Sequence, residues 1–96
     1  MRFRYKKAYL KRFDRFSYDE KELIICTDKQ IRNYYATRTT PYSLRIKKLY
    51  DKGKDKIFEA RVSDKIRILW VESKDLVSFA IVGAHAEVKD FIKGFR

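Results

Sequence analysis

The chain has 96 residues, 45% hydrophobic and 16% aromatic, enough for one compact core, and this composition excludes disorder over most of its length. A formal net charge of +11, from 24 basic and 13 acidic side chains, implies a polyanionic partner, nucleic acid first and an acidic protein second. One cysteine excludes an intrachain disulfide and Cys-rich zinc sites, and no stretch approaches the ~20 apolar residues of a membrane helix. The basic N-terminus is followed by no apolar signal core, so the expected setting is the cytoplasm.

In chain order, Arg2-Phe3-Arg4-Tyr5 alternates and reads as a short edge strand. Tyr9, Leu10, Phe13 and Phe16 then recur at helical spacing among basic residues, the pattern of a short amphipathic helix. Ser17-Tyr18-Asp19-Glu20 has the form of a capping box and predicts a second helix from Asp19 to Ala36. Leu23, Ile24, Ile31, Tyr34 and Tyr35 are its expected buried stripe. Cys26, in an aliphatic run, is expected to be a small buried hydrophobe. Thr37-Arg38-Thr39-Thr40-Pro41 breaks the helix.

From there the pattern changes to strands. Leu44-Arg45-Ile46-Lys47-Lys48-Leu49 is a strand candidate with a basic face, and Asp51 to Lys56 is a charged turn. Ile57 to Val62 and Ile66 to Val71 are strands, Glu72 to Asp75 is a turn, and Leu76 to Val82 reads as a central strand covered on both faces. His85 to Phe95 closes the chain as a helix with Val88, Phe91, Ile92 and Phe95 on one side. The expected fold is a single α+β domain over residues 1–96. Two N-terminal helices pack on a mostly antiparallel sheet of about four strands, followed by a short C-terminal helix.

The hairpin register follows from its alternation. Phe58, Ala60 and Val62 face inward, as do Ile66, Ile68 and Trp70. A two-residue loop would bury Lys65 opposite Val62. A three-residue loop, Ser63-Asp64-Lys65, pairs Val62 with Ile66 and keeps both apolar sets on one side. That register sets Arg61 directly opposite Arg67 on the other face, an unfavourable like-charge pair. Glu59, solvent or a bound anion must offset it, and two guanidinium forks side by side suit a phosphate. Against this stands the plainer reading of two exposed arginines on a solvated face. His85, the single histidine, falls after Gly83-Ala84 where the last helix begins. The positive end of the helix dipole there favours neutral imidazole, a candidate proton carrier, although a lone histidine also serves simply in packing or capping. No metal-binding or cofactor-binding motif is present, so neither a metal nor a cofactor is expected.

The stretch Ile57–Trp70, followed by Ile81-Val82-Gly83-Ala84-His85-Ala86-Glu87-Val88, resembles the C-terminal half of the RelE/ParE superfamily of toxins from toxin–antitoxin systems. The likeness extends over roughly residues 41–92. It implies a microbial-type RNase fold and, for RelE-like members, metal-independent cleavage of mRNA on the ribosome by the RNA's own 2′-hydroxyl. Such chemistry needs a base for that hydroxyl, cations for the phosphorane and an acid for the leaving 5′-oxygen. The resemblance implies Arg67 and Arg61 as the cations and His85 as the acid, with Glu59 as the candidate base. Lys47, Lys48, Lys52 and Lys89 would contact RNA or ribosomal phosphates, and Phe91 would stack on a base. RelE-like members often carry a catalytic tyrosine in the last helix. Here Lys89 occupies the nearest register, so proton donation falls to His85. The implied partners are an acidic antitoxin, the ribosome and mRNA, with no membrane and no small-molecule cofactor. A ParE-like inhibitor of DNA gyrase would share the fold, and a non-catalytic basic nucleic-acid-binding module would share the charge.

Overall fold

The capping box forms as its spacing dictates. Ser17 Oγ accepts the backbone N–H of Glu20 at 3.2 Å, and Glu20 Oε1 accepts that of Ser17 at 3.0 Å. This opens the longest element in a computed structural model that describes residues 1–39 and 42–95. The helix-breaking residues Thr40 and Pro41, and the side chain of Phe95, lie outside that description. The elements are β1 (Arg2–Tyr5), α1 (Lys7–Asp14), α2 (Tyr18–Thr37), a 3-10 turn (Tyr42–Leu44), β2 (Lys47–Lys52), β3 (Asp55–Arg61), β4 (Ile66–Ser73), β5 (Leu76–Ala84) and α3 (His85–Phe95).

The five strands form one sheet in the order β1-β5-β4-β3-β2. β1 runs parallel to β5, so the N-terminal edge strand adds one strand to the four or so expected, and every other pair is antiparallel. α1 and α2 cover one face. There Tyr9, Ile24, Ile31 and Tyr35 meet Ala60, Ile66, Ile68, Trp70, Val77, Phe79 and Val82. α3 crosses the opposite face, where Val88, Phe91 and Ile92 pack on Ile57, Leu69, Val71 and Ile81. The result is three layers, and β5 is buried from Val77 to Gly83 because both faces are covered.

Three expectations change. The buried stripe of α2 is Ile24, Thr27, Asp28, Ile31 and Tyr35, so Leu23 lies off it at 50% exposed and Tyr34 is half-buried. Cys26 lies off the same stripe and is exposed rather than buried. The strand expected from Leu44 begins only at Lys47. A 3-10 turn precedes it, and Arg45 takes a left-handed φ of +46° that no strand residue adopts.

Turns elsewhere are shorter than expected. Gly53 and Lys54 alone join β2 to β3, with Gly53 at φ +63° as the first central residue of a tight hairpin turn. Between β4 and β5 a bulge sets Leu69 against Ile81 and Trp70 against Phe79, leaving Ala80 as the extra residue. The indole N–H of Trp70 donates to Tyr35 Oη at 2.7 Å, which satisfies the polar atom of a fully buried ring.

Candidate nucleic-acid site

The three-residue hairpin loop places the two arginines as the register argument requires. Val62 N–H donates to Ile66 C=O at 2.9 Å, and Arg61 lies opposite Arg67. Both sit on the face crossed by α3, since in β3 and β4 they alternate with the core residues Ala60, Ile66 and Ile68. The same face carries Ile57, Leu69 and Val71. It is therefore charged at the loop end and apolar under α3, not charged throughout.

The like charges are already offset within the protein. Arg61 pairs with Asp64 of the loop. Arg67 Nη1 donates to the Ser63 carbonyl at 2.6 Å and to those of Asp64 and Ile66 at 3.3 Å, and its Nε is 3.8 Å from Glu59 Oε1. The pair thus does not need an anion to exist. Held by the loop on one side and a carboxylate on the other, Arg67 loses little further side-chain freedom on meeting one.

Glu59 is 8% exposed and lies between Lys47 and Leu69 on the neighbouring strands. Arg45, Lys47, Glu59, Arg61 and Arg67 together line a polar depression of about 60 Å³. Four cations around one carboxylate leave a net positive hollow in which an incoming anion adds to the attraction. Arg45 was not singled out from the sequence. It falls within the basic run Leu44–Leu49, and in the structure it lines the hollow together with Lys47.

His85 is exposed as the first residue of α3, two residues beyond Gly83, which pairs with Arg67. The strand–helix junction therefore delivers it to the arginine end of the sheet. Glu87 fixes that junction. Its Oε1 accepts Ala84 N–H at 3.0 Å, its carboxylate pairs with Arg12 of α1, and its side chain lies over Gly83. A Cβ at position 83 would stand 3.0 Å from Glu87 Oε1, so the glycine makes room for the cap.

The other expected contacts are dispersed. Lys48 lies opposite Phe58, on the side of the sheet that α1 and α2 cover, and pairs with Asp51 at 3.0 Å. Lys52 lies opposite Asp55 at the far end of the hairpin, about 20 Å along the strand from Arg61. Lys89 is exposed on α3. Phe91 packs against the second core cluster, so its ring seats α3 instead of standing out as the base-stacking platform the sequence suggested. Among the described residues, no group of three or more potential ligands could hold a metal ion. No described helix is long and apolar enough to cross a membrane.

A five-stranded sheet in this order, with two helices between its first and second strands on one face and one helix after it on the other, is a fold shared with solved RelE and YafQ structures. No protein-family model and no curated protein sequence matches the chain. Solved structures do. The archaeal RelE of a RelE–RelB complex from Pyrococcus horikoshii aligns over 86% of this chain and 92% of its own, at TM-score 0.69 and 13% identity. YafQ of the Escherichia coli DinJ–YafQ toxin–antitoxin complex aligns over 90% and 93%, at TM-score 0.67 and 17% identity. RelE of a RelB–RelE antitoxin–toxin complex from Methanococcus jannaschii aligns over 91% and 95%, at TM-score 0.62 and 16% identity.

Proposed function

We propose that this chain is the toxin of a toxin–antitoxin pair and cuts mRNA on the ribosome without a metal. The observation that carries this reading is the opposed Arg61–Arg67 pair beside a buried glutamate, at the end of the sheet where His85 begins α3, on a fold shared with RelE and YafQ toxins. In the proposed reaction Glu59 takes the proton of a ribose 2′-hydroxyl, whose oxygen attacks the adjacent phosphorus. Arg61 and Arg67 neutralise the pentacoordinate phosphorane. The 5′-oxygen leaves with a proton from His85, and a 2′,3′-cyclic phosphate remains. Lys47 adds charge at the hollow, and Lys48, Lys52 and Lys89 contribute longer-range attraction to RNA.

The proposed inhibitor is an acidic antitoxin. The RelE and YafQ structures above were solved with RelB and DinJ, and a net charge of +11 favours an acidic polypeptide. The proposed setting is the cytoplasm, where translating ribosomes are found.

Primer extension on mRNA from translating ribosomes tests the activity. Purified wild type is expected to give discrete cuts. Arg67→Ala should lower the cleavage rate about 100-fold or more, the usual cost of removing one transition-state donor. His85→Ala should lower it through the leaving-group step. Absence of cuts with wild type overturns the enzyme reading.

A further inference from the structure

Beside the arginine hollow lies a larger cavity of about 340 Å³, between α2, the 3-10 turn and the β3–β4 loop. Arg45 and Arg61 line both. Leu44 and Thr27, 2% and 5% exposed, lie along its inner wall, and Thr27 Oγ1 is occupied by the Leu23 carbonyl at 2.9 Å. Gln30 and Ser43 bring an amide and a hydroxyl, groups that both donate and accept. Tyr42 forms the rim and is 86% exposed, an unusual position for an aromatic ring.

The rim is built, not loose. Arg45 N–H donates to the Tyr42 carbonyl at 3.1 Å and closes the turn. The Arg45 guanidinium lies 5.6 Å from the Tyr42 ring centroid, bracing the ring by a cation–π contact. Arg45 takes a left-handed φ of +46° in this turn, a strained conformation for a residue with a side chain. The turn thus leaves Tyr42 exposed beside an arginine that lines both the cavity and the hollow.

We propose that this cavity is a nucleobase subsite. RNA whose phosphate lies among Arg45, Arg61 and Arg67 would place a neighbouring base against Tyr42, with its polar edge toward Gln30 and Ser43. A flat ring with donors and acceptors on its edge, joined to an anion, matches the two cavities and their shared arginines. Unpaired bases stack on exposed aromatic rings in this manner. The inference rests on the phosphate-binding reading of the arginine hollow and extends it to base recognition.

The test compares two fluorescent probes at low ionic strength, a short single-stranded oligoribonucleotide and an abasic ribose-phosphate oligomer of the same length. Wild type should bind the base-bearing probe about fivefold or more tightly than the abasic one, the effect of one stacked base. Tyr42→Ala should bring that ratio close to one, and Tyr42→Phe should keep it. Tyr42 is exposed, so its removal does not disturb the core. A wild type without preference, or a preference that survives Tyr42→Ala, overturns the subsite. Arg67→Ala reports on the other reading, since it should weaken both probes together. If it weakens neither, the phosphate hollow is wrong whatever Tyr42 shows.

Discussion

The two faces of the central hairpin are made by the same strands and behave as different materials. On one, Phe58 and Trp70 stack at 5.7 Å, and Phe79, Tyr5 and Tyr9 continue the aromatic layer beneath α1 and α2. On the other, one residue away along each strand, Arg61, Arg67 and Glu59 form an ionic cluster held by a three-residue loop. A sheet's twofold side-chain period lets an eight-residue strand serve as core and as site at once. The aromatic face supplies the rigidity that fixes the backbone, and with it the spacing of the guanidinium groups on the reverse. The division is incomplete, because α3 takes half of the second face for a small core of its own.

The sharpest way to break this division of labour is to remove the largest ring. Trp70 is fully buried between the helices and the sheet. Trp70→Ala should cost about 3–5 kcal/mol in urea unfolding, enough to unfold a marginal domain. Trp70→Phe keeps most of the volume and loses the bond to Tyr35, so it should cost closer to 1 kcal/mol for the hydrogen bond, plus a partial packing loss. Arg61→Ala on the reverse face should move stability by no more than about 0.5 kcal/mol, since it removes both a like-charge neighbour and a loop ion pair. A loss of several kcal/mol from Arg61→Ala would mean that the ionic cluster supports the fold.

This division also explains what could be read in advance. The hairpin register was legible because two constraints met: any slip would bury Lys65, and alternation then assigned every side chain to a face. Ser17 and Glu20 were legible because a capping box is local. The contacts that define the site's surroundings are not local. Trp70 meets Tyr35 across 35 positions, and Tyr5 meets Asp28 across 23, with no period linking them. Cys26 looked buried because its neighbours are aliphatic, yet the helix turns those neighbours onto different sides. Arg45 escaped notice because an apparent strand pattern concealed a positive φ, and with it the turn that raises Tyr42. Placement of α3 over half of the charged face depends on where Val88, Phe91 and Ile92 meet Ile57, Leu69, Val71 and Ile81, contacts that the helix's own spacing does not assign.

The second face has a structural keystone of its own at that junction. In Gly83→Ala the new methyl would meet Glu87, whose carboxylate caps Ala84 and reaches Arg12. Glu87 must give by a few tenths of an ångström, and where this breaks the cap the cost is about 1 kcal/mol, typical of a lost helix N-cap. Because His85 is the next residue of the same junction, cleavage should fall along with helix-end protection in amide exchange. Glu87→Gln, which keeps the acceptor oxygen and removes the charge, should retain the cap and weaken only the pair with Arg12. If Gly83→Ala leaves both stability and amide exchange unchanged, α3 is seated by Val88 and its apolar neighbours alone.

The smallest effect separates the two buried carboxylates, one on each face, each 8% exposed. Glu59 sits among cations, whereas Asp28 sits among phenols. Asp28 Oδ2 accepts Tyr5 Oη–H at 2.5 Å, while its Oδ1 has Arg32 Nε at 3.5 Å and no hydrogen-bond donor among the described residues. Burial pushes the Asp28 carboxyl above its ordinary value, against the lowering effects of the Tyr5 bond and Arg32. A carboxyl raised in the folded state holds its proton more tightly than in the unfolded chain. Its contribution is neutral below the ordinary value of 3.8, becomes destabilising as pH rises through the window above it, and stays constant beyond the folded pKa. Asp28→Asn cannot ionise and keeps an oxygen for Tyr5. Its stability relative to wild type should therefore improve as pH rises from about 3 to about 7, read from urea midpoints at each pH. A relative stability that falls over that range would show that the ion pair with Arg32 outweighs burial, and that the helix-covered face relies on charge as the arginine face does.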